Sequence, residues 1–498
     1  MVYYGALSKG CQSCRQRKIK ACTFFKTGYP LGNKSKPKLK NSAINGGRAV
    51  SSYRDLTDLL FRDERQRIRR RLADDNGRRP QPSTLTTPPD LSMAPKPHLC
   101  NPGARTSSPY FHLPHQPVEE MAASFFFSQY TTTGPPYCDS YQSWLTKTYL
   151  DSRPNHMVRS AIQAVGMAAL SNVCHAPYLA FQAKGRYGQA LKATNLALCN
   201  TSQAKEDSTL MAIMLLVLFM TITFEQESDS HAWATHIEGA NTLLQLRGKD
   251  QFTREIGIQL YIQFRNQILQ ACMHRGMEVP PGLVEVTMDF ETSRHGKSYI
   301  RMRHESLAVI GFRLVNLLAA IKKHDITDPD KICQIAFDVN NCLQTWVSLQ
   351  YHRNFVERDA EEPSISSSFN GKRHVYESAW GAQIWNDWRS LGIVMNRIIL
   401  DYVDEQSFEN DALKQKMRYD SVTCIQRLST DICISTSSLS GSPRAASMIW
   451  PLHIVSQETI NTPKVRFWAI ERLRDIRKSM GIKQAAVLAD NVKIQKDI

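Results

Sequence analysis

Near the amino end, Cys11, Cys14 and Cys22 are interleaved with Arg15, Arg17, Lys18 and Lys20. A Cys-x-x-Cys pair is the commonest donor pair for structural zinc, because two intervening residues let a tight turn place both sulfurs on one face of a tetrahedron. The run "RQRKIK", Arg15 to Lys20, leaves the second cysteine as the seed of a short basic helix. After Cys22 no cysteine occurs until Cys100, so three thiolates stand together where a closed structural site takes four.

The surrounding charge fits a polyanion partner. Residues 1–71 hold 18 Lys/Arg against Asp55, Asp58, Asp63 and Glu64, a net +14 out of the chain's +16. A basic end on a nearly neutral body is the electrostatic footprint of a module that meets nucleic acid. A solubilising basic tail is the plainer reading of the same charge.

Length and composition bound the rest. At 498 residues with 42% apolar content the chain is long enough for more than one folded unit and apolar enough for a real core. No apolar leader precedes the first cysteines, and the scattered thiols read as reduced and intracellular. The longest uncharged apolar run, "LMAIMLLVLFMTITF" from Leu210 to Phe224, is 15 residues, short of the roughly 20 that span a bilayer, and predicts a buried helix with no membrane partner.

The organisation expected is a basic Cys-containing segment over 1–73, a disordered Pro/Ser/Thr-rich linker over 74–136, and an all-α body over 137–498. In the body, apolar residues recur at helical spacing in "HMVRSAIQAVGMAALSNVC" and "ESLAVIGFRLVNLLAAIKKH". Similar patterns predict helices over 176–199, 208–224, 233–246, 255–274, 328–349, 377–400 and 462–480. No period-two alternation stands out. The polar stretch "ERDAEEPSISSSFNGKRH", Glu357 to His374, reads as a surface insertion or a lid.

The cysteine pair with its basic run resembles the fungal binuclear zinc cluster of transcription regulators, in which six thiolates bind two zinc ions. That resemblance implies zinc as cofactor, with Cys11, Cys14 and Cys22 as ligands, Lys18 near base edges in the major groove, and Arg15, Arg17 and Lys20 near phosphates. Seven residues rather than six separate Cys14 from Cys22, and the second ligand trio is missing. The pattern resumes at "SYRDLTDLLFRDERQRIRRR", Ser52 to Arg71, which resembles the segment that follows the cluster. The stretch between, residues 23–51, is a splice or gene-model product or the trace of a decayed cluster, and sequencing the transcript across codons 20 to 55 separates these. Leu56, Leu59, Leu60, Ile68 and Leu72 are open to two readings, a homodimer seam or a solvated basic helix whose "RIRRR" serves nuclear import.

"HAWATHIEGANTLLQLRG", His231 to Gly248, resembles a motif of the large helical domain that accompanies such clusters. "QACMHRGMEVPP" from Gln270, "WNDWRSLGIVMNRIIL" from Trp385 and "WPLHIVSQ…RFWAIERLRDI…GIKQA" from Trp450 agree with it. The residues themselves read as packing. Gly239 and Ala240 permit close helix approach, Gly248 ends a helix in the left-handed conformation, Leu243 and Leu244 fill the core, and His236 is a hydrogen-bonded buried histidine. Trp450-Pro451 and Trp468 read as anchors.

A helical terpene-cyclase-like enzyme is the competing class, since "NDWRSLGIV" begins like a metal box. Val394 stands where that box needs a carboxylate, and no DDxxD, Walker loop, HExxH or nucleophile elbow occurs. The expectation is a non-enzymatic nuclear transcription regulator with DNA and the transcription machinery as partners. The alternative is a helical interaction protein without sequence-specific DNA binding.

Overall fold

The computed structural model describes residues 117–132, 142–151, 155–225, 229–293, 306–349, 355–361, 368–406 and 411–492, with backbone alone over 229–234. The candidate ligands and DNA-contact residues of the basic segment therefore lie outside the described residues.

The described fold is all-α. In chain order the helices are α1 (Val118–Tyr130), α2 (Trp144–Leu150), α3 (His156–Cys174), α4 (Pro177–Leu198), α5 (Thr201–Ala204), α6 (Asp207–Thr223), α7 (Asp229–Arg247), α8 (Glu255–Arg275), α9 (Pro281–Thr292), α10 (Leu307–Lys322) and α11 (Pro329–Ser348). A short antiparallel hairpin, β1 (Val356–Asp359) and β2 (Lys372–Val375), follows. Then come α12 (Ala379–Tyr402), α13 (Asp411–Leu439), α14 (Ile449–Gln457), α15 (Pro463–Met480) and α16 (Lys483–Asp490).

Local chemistry sets many of these boundaries. Asn155, Ser306, Asp328 and Ser378 each cap a helix by accepting from a backbone N–H of its first turn. Pro at the first helical position opens α4, α9, α11 and α15, where its missing N–H costs nothing. Gly276 and Gly481 close α8 and α15 in the left-handed region, at φ of 60° and 73°. Gly248 adopts φ 56° directly after α7, as its position in the sequence predicts.

Nearly every residue of α6 is buried, from Thr209 to Ile222, so it lies at the centre of the amino half with α3, α4 and α7 around it. This explains why the "LMAIMLLVLFMTITF" run shows no polar face: a helix enclosed on all sides needs none. Among the described residues no helix is long and apolar enough to cross a membrane.

The stretch expected to be linker is corrected at its carboxyl end. Residues 118–130 form α1, with Ala122, Ala123, Phe126 and Tyr130 buried against α3. The helices cross so closely at Gly166 that a Cβ there would stand 2.0 Å from the Ala122 carbonyl oxygen. Tyr130 Oη donates to the Met480 carbonyl, which ties α1 to the end of α15. Flanking Pro, Ser and Thr masked this element in a window average, although "MAASFFFSQY" is apolar enough to need burial.

The polar insertion also acquires structure. Glu357 pairs with His374 and Asp359 with Lys372 in the hairpin register, and β2 lies along α13. Lys372 binds Glu357 at 2.6 Å on the solvent side. All four residues of β1 are exposed, so the strand carries no apolar/polar alternation to be recognised in sequence.

Candidate functional site

The chemistry expected at Cys11, Cys14, Cys22, Arg15, Arg17, Lys18 and Lys20 lies outside the described residues. Among the described residues, no group of three or more His, Cys, Asp or Glu side chains is placed to hold a metal ion. The most concentrated polar chemistry of the body is instead a buried arginine where the hairpin meets α12 and α13.

Arg389 is fully buried, on the face of α12 that also carries Trp385 and Asn386. Its Nη1 donates to Tyr376 Oη at 2.7 Å and to Asn386 Oδ1 at 3.0 Å, and its Nη2 faces His374 Nδ1 at 3.4 Å. The guanidinium lies over the Phe355 ring at 4.6 Å, with Trp385 at 5.9 Å. Asp431 on α13 is the nearest carboxylate, and its Oδ2 stands 3.9 Å from Nε and equally far from Arg427. The buried cation is thus held chiefly by neutral acceptors and aromatic faces.

The hydrogen bonds fix the orientation of each partner. Ser435 Oγ donates to Asn386 Oδ1 at 2.8 Å, so the amide oxygen faces both donors and the amide cannot be flipped. Because arginine only donates, His374 must present the Nδ1 lone pair to it, which places the imidazole proton on Nε2, 3.6 Å from Glu357 Oε2. Burial, then repulsion from Arg389, lowers the His374 pKa to about 4, with Glu357 opposing. Burial raises the Asp431 carboxyl while Arg389 and Arg427 pull it down. Ser438 Oγ donates to the His374 carbonyl and completes the attachment of β2 to α13.

This arrangement can clamp the hairpin, α12 and α13 to one another. Sequence reasoning missed it. The available signal was one arginine on the apolar face of "WNDWRSLGIVMN", where a buried charge must find partners; His374 in β2 and Tyr376 just beyond its end gave no period to read.

The remaining sequence motifs resolve into packing. His236 is buried, its Nε2 lies 3.3 Å from Tyr187 Oη, and burial lowers its pKa to about 4. Leu243 and Leu244 are in the core and Ala240 is fully enclosed. Arg247 is buried, pairs with Asp207 and donates to the Lys205 carbonyl at 3.0 Å, fastening α7 to the start of α6. Trp450 packs edge-on to His274, and Trp468 packs against Phe369. Of the residues compared with a metal box, Asn386 is engaged by Arg389 and Ser390 Oγ donates to its own helix at Asn386 O. Asp387 is half-buried, and desolvation raises its carboxyl to about 7 while Arg265 pulls the other way.

A cleft with about 470 Å³ of empty space, partly open to solvent, lies between the end of α13, the following turn, α14 and α15. Leu439, Met448, Leu452 and Ile476 line its apolar side. Arg472 at its edge pairs with Asp475 at 2.8 Å and lies over Trp468 at 4.5 Å, so this cation is already matched.

Residues 124–271 match the family model described as the fungal specific transcription factor domain, from within α1 to near the end of α8. An uncharacterized protein of Emericella nidulans is 27% identical over 131 residues, which are 26% of this chain and 27% of that protein. The alignment thus spans about a quarter of the relative's length. No solved structure matches. The matched segment points to the regulation of transcription.

Proposed function

We propose that the chain is a nuclear, DNA-binding regulator of RNA polymerase II transcription, of the fungal zinc-cluster type. The observation that carries this reading is the match of residues 124–271 to the fungal specific transcription factor domain. The net +14 of residues 1–71 supports it, because Lys/Arg side chains that neutralise phosphates release counterions and supply sequence-independent affinity. The body acts without catalysis, as a helical platform that the transcription machinery contacts.

Cys11, Cys14 and Cys22 provide three thiolates, half the donors of a two-zinc cluster. They do not by themselves fit that group, so no step of DNA recognition is routed through zinc. Nonspecific phosphate contact by Arg15, Arg17, Lys18 and Lys20 needs only their charge. The missing donor trio favours a second reading, a helical interaction protein that lacks a specific DNA site and works through protein partners.

The test is a salt-titrated DNA-binding assay on the full chain with metal analysis, beside a variant in which a six-cysteine cluster is restored. The proposal expects binding that weakens steeply as salt rises, by roughly 0.9 in log K per phosphate contact for each unit of log salt. It also expects the restored chain to gain sequence preference and two zinc ions. Absence of DNA binding by both chains at low salt refutes the DNA-binding reading. Binding by the original chain without sequence preference, together with exclusion of a fluorescent fusion from nuclei, selects the second.

A further inference from the structure

The cleft at the carboxyl end of α13 is shaped by a run of small residues. Residues 435–442 read "STSSLSGS", and Thr436, Ser437, Ser440 and Gly441 of this run form one wall. Their short side chains leave about 470 Å³ of empty space, part of it open to solvent, facing Leu439, Met448, Leu452 and Ile476. Space of this size, apolar on one side with a few polar groups converging on the other, suits a small molecule.

The polar wall has a definite sense. Thr436 Oγ1 donates to Cys433 O at 2.7 Å, Ser437 Oγ to Ile434 O at 3.3 Å and Ser479 Oγ to Asp475 O at 2.8 Å. Each of these hydroxyl protons is committed to its own helix, and what the oxygen has left for a ligand is lone pairs. Asp475 lines the same space and adds a carboxylate, an acceptor as well. The cation beside it is occupied: Arg472 Nη2 holds Asp475 at 2.8 Å, the guanidinium lies over Trp468, and Nε is closed to solvent.

Such a wall sorts ligands by charge and by proton. A carboxylate or phosphate meets oxygens without protons and the charge of Asp475. An ammonium meets Arg472 and also Lys478, whose Nζ is 3.8 Å from Asp475, so cations outnumber the carboxylate there. An ether brings no proton to the wall. A neutral O–H donates to the oxygens of Thr436, Ser437 or Ser479 while its hydrocarbon part faces the apolar side. We propose that the cleft binds a small neutral alcohol or phenol. The inference goes beyond the transcriptional reading and does not depend on DNA binding.

The test titrates the full chain with ω-bromohexanol, whose bromine quenches a nearby indole, and compares its methyl ether, ω-bromohexanoate and ω-bromohexylamine. The alcohol quenches Trp468 saturably, and W468F loses that component. The ether binds at least about threefold more weakly and the two ions at least about tenfold. T436V/S479A keeps the shape of the wall and removes two acceptors, so the alcohol falls to the dissociation constant of the ether while the ether is unchanged. S437L fills the space and abolishes quenching by both. Absence of saturable quenching overturns the proposal, as does equal binding of alcohol and ether, an ion that binds as tightly as the alcohol, or an alcohol preference that survives T436V/S479A. Should S437L fail to fold, the comparison of alcohol with ether on T436V/S479A decides alone.

Discussion

Replacing Arg389 by methionine tests whether the buried guanidinium is what holds the hairpin to the helices. The substitution nearly conserves volume and removes two charge-assisted hydrogen bonds, to Tyr376 at 2.7 Å and Asn386 at 3.0 Å. Such bonds contribute about 1.5–3 kcal/mol each, a gross loss of about 3–6 kcal/mol. Part is returned, since the variant no longer strips water from a charge. No neutral acceptor is orphaned: Asn386 keeps Ser435 at 2.8 Å and Tyr376 keeps His374 at 3.2 Å. A net loss of about 2–3 kcal/mol remains, equivalent to roughly 30- to 150-fold faster local opening. Native-state hydrogen exchange reads this directly. Amides of β2 and the first turns of α12 should lose that protection while those of α3 are unchanged. The histidine gives a second readout, because removing the adjacent cation should raise the His374 pKa from about 4. Unchanged β2 protection, or a loss shared equally by α3, refutes the reasoning.

Three further outcomes follow from other sites. Gly166→Ala forces a methyl group onto the Ala122 carbonyl, and calorimetry should show a loss of about 3 kcal/mol, with proteolysis newly cutting α1. His236 has a folded pKa of about 4 against an ordinary 6.5, so its contribution is complete above pH 6.5 and is lost as pH falls toward 4. His236→Phe should flatten that part of the stability profile, which is worth up to about 3 kcal/mol. Asp387 has the opposite sign: its folded pKa of about 7 exceeds the ordinary 3.8, so stability falls as pH rises between those values and is level above. Asp387→Asn should therefore stabilise the protein at pH 8, on the order of 2 kcal/mol by denaturant titration, and change little at pH 4.

The sequence carried the body well where one periodic face met one core. The patterns read over 255–274, 328–349 and 462–480 correspond to helices Glu255–Arg275, Pro329–Ser348 and Pro463–Met480. Helix α13 escaped because Ser421, Ser429, Ser435 and Thr436 occupy buried positions and break the apolar stripe. Thr436 Oγ1 donates to Cys433 O, Ser435 shares its proton between Ile432 O and Asn386 Oδ1, and Ser429 Oγ accepts from Asn461, so burial at these positions needs no apolar residue. The Arg389 centre was illegible for a related reason. Its partners come from the hairpin, α12 and α13, brought together by packing and not by spacing along the chain.

The joining of α1 to the far end of the fold carries a lesson about what a recognisable segment is. Asn172 on α3 donates to Gly481 O at 2.8 Å and receives Arg477 at its own carbonyl at 3.1 Å, while a Cβ at Gly481 would stand 2.4 Å from the Ala169 carbonyl oxygen. A fragment cut out at 124–271 would lack this carboxyl-terminal buttress and leave part of α3 naked to water. The portion that family comparison detects is shorter than the packed unit it belongs to, and excising it for biochemistry would strip α3 of its contacts with Arg477 and Gly481.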